Sequence, residues 1–147
     1  MVNQQFATAV HVITSLAYVR NLHTKDIANT PKYLVNSELL AESVQTNAVV
    51  IRRIIRSLTK AGLVSTCRGK AGGICLTKEP HQINLKDIYQ ALDIYEPIAP
   101  HNKQAHKDCP VSCSMHKIMS SVAEGAQKSL NKYLESQKIS DLLKKIK

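Results

Sequence analysis

The chain has 147 residues, 44% of them apolar, and its 20 Lys and Arg outweigh 11 Asp and Glu to give a formal net charge of +9. That length suits one domain, or one small domain with an appendage, and the apolar share excludes wholesale disorder. So basic a balance points to an anionic partner, nucleic acid before a membrane surface. The longest uninterrupted apolar runs are about four residues, such as AVVI at 48–51, against the ~20 residues that a membrane-crossing helix needs. The opening MVNQQFATAV has neither a basic n-region nor a small-residue cleavage site, so the expected compartment is the cytoplasm. In that compartment the four cysteines are expected as thiols, thiolate ligands or redox sensors, and not as a disulfide framework.

Phe6, Val10, Ile13, Leu16 and Ala17 recur at helical spacing and predict an amphipathic helix over 4–20. Residues 23–32 are polar, contain Thr30-Pro31, and read as a loop. Asn36 or Ser37 can cap a short helix ending at Ser43. Gln45 and Thr46 then break and cap, and a longer helix runs to Ala61, with Gly62 as its terminating glycine. Residues 63–68 and 74–77 are strand-like and flank the glycine-rich tip GKAGG, which predicts a hairpin. Asn84 with Asp87 three residues on marks the start of a helix over 85–92. An irregular connector follows over 97–110. Met115, Ile118, Met119, Val122, Ala126, Leu130 and Tyr133 then mark a long helix with an apolar stripe, and Ser140 is expected to cap a last helix over 141–146.

The positive charge is concentrated. Between Glu42 and Glu79 there is no acid, yet that stretch holds Arg52, Arg53, Arg56, Lys60, Arg68, Lys70 and Lys78. Two helices joined by a tight turn and followed by a hairpin describe a winged helix-turn-helix. At about 100° per residue, Val50, Ile51, Ile54, Ile55 and Leu58 of the second helix fall on one side. Val49, Arg52, Arg53, Arg56 and Lys60 fall on the other. Such a helix buries its aliphatics and presents arginines to the major groove of double-stranded DNA. The expected base contacts are Thr46, Asn47, Val49, Arg52 and Arg53, since the N-terminal half of a reading helix reaches the base edges. Asn47 has a competing role as a helix-start hydrogen bonder. Arg56 and Lys60 are expected on phosphates, and Arg68 and Lys70 at the hairpin tip on an adjacent strand or the minor groove.

Other functions fit less well. GKAGG lacks the order of a phosphate loop, and there is no H-E-x-x-H or G-x-S-x-G, so an enzyme is not expected. The alternative is a non-specific basic nucleic-acid-binding module without a sensing role. With one Phe and no Trp, stacking on single strands is disfavoured.

KAGLV at 60–64, RGKAGG at 68–73, LTKEP at 76–80 and INLKDIYQAL at 83–92 together resemble the Rrf2 family of bacterial transcription regulators. TNAVVIRRII at 46–55 and CPV at 109–111 are most similar to its YwnA-type branch. The resemblance spans essentially the whole chain. It implies a mainly α fold with a small β-hairpin: a winged helix-turn-helix domain over 1–82, then a linker helix, a Cys-bearing connector and dimerisation helices over 83–147. It also implies a homodimer at a palindromic operator, acting as a repressor or sometimes an activator, with several members sensing iron–sulfur status, nitric oxide, cysteine supply or oxidants through connector cysteines.

The connector here reads His106-x2-Cys109-x3-Cys113-x2-His116. By residue type it suits zinc or an iron–sulfur cluster. Cys113-x2-His116 matches the end of the family's cluster-binding pattern, but two cysteines stand where those members have three. A thiol redox pair at a helix start, or no sensing role, are the other readings. In the hairpin, Cys67 and Cys75 would face each other if Ala71 centred the turn, within reach of a disulfide that could lock the wing. Two reduced thiols are the alternative. His11 and His81 have no partner legible in the sequence, and Met115 and Met119 read as packing residues.

Overall fold

The computed structural model describes residues 4–23, 34–67, 72–93, 98 and 104–146. Helix α1 (Gln5–His23) runs three residues past its expected end. It buries Ala9, Val12, Ile13, Leu16 and Ala17 along one stripe. The Asn36 side chain accepts from the Leu39 N–H at 2.8 Å and starts α2 (Ser37–Val44). That helix stops at Gln45, which adopts the left-handed region at φ 66°. Gln45 offsets this by sending both its backbone N–H (3.2 Å) and its side-chain amide (2.8 Å) to the Glu42 carbonyl, one of the acceptors a helix end leaves open.

Helix α3 (Ala48–Lys60) is capped one residue later than expected. Thr46 instead turns its N–H back to the Ala41 carbonyl at 2.9 Å, and Asn47 is left extended with its side-chain oxygen on the Val49 N–H at 2.8 Å. Gly62 follows at φ 79°, a conformation that strains any residue with a Cβ. Strands β1 (Val64–Cys67) and β2 (Gly73–Leu76) form the antiparallel wing. Val35 adds a third rung, exchanging backbone hydrogen bonds with Ile74 at 3.0 and 2.8 Å. This close approach requires glycine at Gly73, where an added Cβ would lie 2.8 Å from the Leu34 Cβ.

A single 3₁₀ turn (Pro80–Gln82) leads into α4 (Leu85–Ala91). Asn84 and Asp87 cap α4 reciprocally, at 2.9 and 3.1 Å. The long α5 (Pro110–Glu135) begins on proline, which suits a first helical position. The last helix, α6 (Ile139–Leu143), starts after Lys138 and earlier than the expected Ser140 cap. Ile139 explains the shift: its side chain is fully buried and its N–H bonds the Ile83 carbonyl at 2.9 Å. Among the described residues no helix is long and apolar enough to cross a membrane.

The chain forms two compact units, one of Met1–Asp93 with Glu135–Lys147 and the other of Ile94–Leu134. The expected division after residue 82 is not followed. Ile83, Ile88 and Ile139 are buried in the same core as Ile13, Leu40, Ile51 and Leu58, so α4 and α6 belong with the winged helix-turn-helix. Asn84 and Lys138 pair as a short antiparallel bridge, and Lys86 reaches Glu135 at 3.7 Å. Arg20 of α1 holds the segment after the wing, donating to the Lys78 carbonyl at 3.0 Å and pairing with Glu79.

Ile139→Ala should therefore destabilise the winged helix-turn-helix unit itself, by about 2–5 kcal/mol. Urea unfolding followed at that unit checks this. A change near zero would mean that α6 is not part of the core.

Candidate nucleic-acid interface

Helix α3 separates its residues by chemistry. Ile51, Ile54, Ile55 and Leu58 are buried, and Val50 is half-buried against the same core. Once that aliphatic face is fixed, helical geometry turns Val49, Arg52, Arg53, Arg56 and Lys60 outward, and all five are exposed. Val49 is an apolar residue at 55% exposure near the helix start, where a thymine methyl could be met in a major groove.

Thr46 is half-buried in the turn before α3. Asn47 fills the cap role that competed with base contact, its side-chain oxygen engaged by Val49. Arg68 and Lys70, and the hairpin tip that carries them, lie outside the described residues. A cleft of about 750 Å³ is lined by Arg52, Arg56 and Lys60 of α3, by Asn36 and Ser37 at the start of α2, and by Thr66 of β1. Glu38 lines the same cleft, and the three cations still leave it net positive, as suits a sugar–phosphate backbone.

Glu38, in the first turn of α2, had no place in the sequence-derived site. Its Oε1 accepts from Arg52 Nη2 at 3.0 Å. The acid-free stretch of sequence thus acquires an acid in three dimensions. Its own backbone N–H, and after it the Arg52 guanidinium, hold the Glu38 carboxyl below the usual carboxylate range. The sign follows directly. A depressed carboxyl leaves the pair intact at neutral pH, and it is lost as pH falls through the lowered value. Only the pairing of α2 with α3 brings these groups together, and no spacing in the sequence signals it.

The wing corrects the expected thiol pair. Cys67 lies opposite Gly73 and Cys75 opposite Ser65, so the two cysteines are diagonal and not directly facing. Cys75 is buried, with its sulfur 3.3 Å from the Ser65 hydroxyl.

In the second unit, Cys109 stands just before Pro110 and Cys113 in the first turn of α5. The Cys109 sulfur accepts from the Ser112 N–H at 3.4 Å, as a capping side chain does. Cys113 is exposed and donates to the His106 carbonyl at 3.4 Å. His106 Nδ1 faces the Asp108 N–H at 3.3 Å, and His116 is exposed further along the helix. Among the described residues no three His, Cys, Asp or Glu side chains converge as a metal site. The described residues of one chain thus do not by themselves assemble the zinc or iron–sulfur set that the connector suggested, since either site takes about four protein ligands. His11, without a partner legible in the sequence, lies 3.0 Å from the Ser43 hydroxyl.

Comparison with known proteins places this geometry in context. Residues 2–145 match the family model Rrf2, described as iron-dependent transcriptional regulator. YwnA of Bacillus subtilis, named as an HTH-type transcriptional regulator, is 27% identical over 97% of this chain and 97% of its own. The structure of T. potens IscR superposes with a TM-score of 0.67 at 25% identity, covering 99% of this chain and 87% of that one. B. subtilis CymR, titled a global cysteine regulator, shares the fold with a TM-score of 0.63 at 21% identity over 100% and 98% of the two chains.

Asn47→Ala should cost about 1 kcal/mol of stability through the lost cap, and Asn47→Ser should recover most of it. Chemical denaturation measures both. Unchanged stability with altered sequence preference in DNA binding would move Asn47 back to the base-reading set.

Proposed function

The chain belongs to the Rrf2 family of transcriptional regulators, and from that premise we propose that it acts in the cytoplasm as a homodimeric repressor at a palindromic DNA operator. One observation carries the reading: α3 presents a row of exposed cations opposite its buried aliphatic row, in a segment whose sequence contains no acid. Arg52 and Arg53, with Val49, read base edges. Arg56 and Lys60 hold phosphates, where each charge releases counterions and strengthens binding at any sequence.

Dimerisation follows from α5. Val111, Ile118 and Val122 are exposed along this helix, Ile118 at 49%. A second copy of the helix covers such a stripe most economically, because both copies present the same apolar surface. Two reading helices then meet successive major grooves about one helical turn, ~34 Å, apart.

Sensing is assigned to the thiols. Cys109 and Cys113 stand one helical turn apart, where Cβ atoms are about 5–6 Å from each other. A disulfide needs about 4 Å, so bridging them draws in the first turn of α5. Each thiol gives up one proton and one electron, and a molecule of hydrogen peroxide takes both pairs and leaves as two waters. A distortion at the start of the dimer helix changes the spacing of the two reading helices, and with it operator affinity.

Fluorescence anisotropy with the duplex upstream of the gene and a scrambled duplex tests the reading. The reduced protein should prefer the first, and peroxide should weaken that preference. Equal affinity for both duplexes would leave a non-specific basic module. Arg56→Ala and Lys60→Ala should weaken both complexes alike, each reducing the slope of log K against log salt by ~0.9. Replacing Cys109 and Cys113 together by Ser should abolish the peroxide response while sparing the reduced affinity. A normal response in that variant would remove the connector from the sensing role.

A further inference from the structure

The exposed face of α3 contains an anomaly for a surface that meets DNA. Glu38 brings a carboxylate to the middle of it, 3.0 Å from Arg52. Among the described residues no carboxylate pairs with Arg53, Arg56 or Lys60, so the pairing singles out Arg52. Both partners are open to solvent, the side chains 54% and 66% exposed, and an ion pair so exposed adds little to stability. A negative charge at this place also repels the phosphates of a bound duplex. The pair thus weakens non-specific attraction and is not explained by folding.

What it supplies is direction. A guanidinium is a planar fork with five N–H donors, and its recognition of guanine O6 and N7 depends on the angle at which the fork is presented. A free arginine on this face would turn to the nearest phosphate. Arg52 has one amino group engaged by Glu38, which biases its rotamer before DNA arrives and leaves its remaining N–H donors for an acceptor pair. Ordering the side chain in advance also lowers the entropy lost on binding. The backbone provides the anchor: Asn36 caps α2, and Glu38 stands in that capped first turn.

We propose that Glu38 is a positioning residue, holding the Arg52 guanidinium so that Arg52 selects a guanine in each operator half-site instead of clamping a phosphate. This rests on the reading of the α3 face as the DNA-binding surface.

The test is enrichment from a random-duplex library with the full-length protein, in parallel with Glu38→Gln and Arg52→Ala. Wild-type protein should enrich a palindrome with a strongly preferred guanine in each half-site. Glu38→Gln should enrich the same palindrome with that preference reduced about two- to five-fold, and Arg52→Ala should lose preference at the same position. Affinity of Glu38→Gln for a scrambled duplex should rise, because one repelling charge is gone. Thermal melting of both variants should match wild type, since neither side chain is in the core. Three results would overturn the assignment. The guanine preference could survive in Glu38→Gln, both affinities rising equally, which would make the pair a plain surface ion pair. The two variants could lose preference at different positions, so that Glu38 itself contacts a base. Wild-type protein could enrich no sequence at all, which would remove the regulator reading as well.

Discussion

The burial of one face of α3 is the constraint on which the rest depends. Ile51 and Leu58 are fully buried and Ile54 and Ile55 nearly so. Removing four such side chains from water is worth several kcal/mol at about 1.5–3 each. No rotation of α3 keeps that gain and also hides the arginines. The reading face is therefore set by the core, and a helix with so strong an apolar side needs no DNA to orient its cations. The caps refine this: Asn47 fixes where the helix starts, Gly62 where it stops, and the wing begins two residues later.

That core is assembled from distant parts of the chain. Ile139 near the C-terminal end and Ile83 before α4 exchange a backbone hydrogen bond and share the interior with Ile13 of α1. The consequence is that the chain leaves the first unit after Asp93 and rejoins it at Glu135, the last residue of α5.

Much of this was legible before any coordinates. Helical periodicity in α1 and α3, the Asn36 and Asn84 caps, the Gly62 stop and the hairpin all follow from local chemistry, and local chemistry is what spacing records. The segregation of Arg52, Arg53, Arg56 and Lys60 from the aliphatics was readable for the same reason. The errors share a cause as well. The wing register is not legible in the sequence, because nothing near GKAGG fixes which residues of the two strands pair. The α6 start is not legible because Ser140, two residues ahead of Leu142, resembles a cap, whereas the helix start is held by Ile83, more than fifty residues away. Likewise the boundary at 82 followed the motif edge, while the fold followed buried isoleucines.

The Glu38–Arg52 pair is the sharpest case of this limit. Charge counted along the chain places no acid between Glu42 and Glu79 and describes the site as purely basic. Charge counted in space includes Glu38, because the packing of α2 against α3 carries the start of one helix alongside the exposed side of the other. A uniformly basic face attracts every duplex almost equally, since phosphates are the same in all sequences. A basic face with one arginine held by a carboxylate exchanges some of that attraction for orientation. Affinity in this site is therefore carried by charges that sequence counting finds, while selectivity depends on an acid that only the tertiary fold delivers.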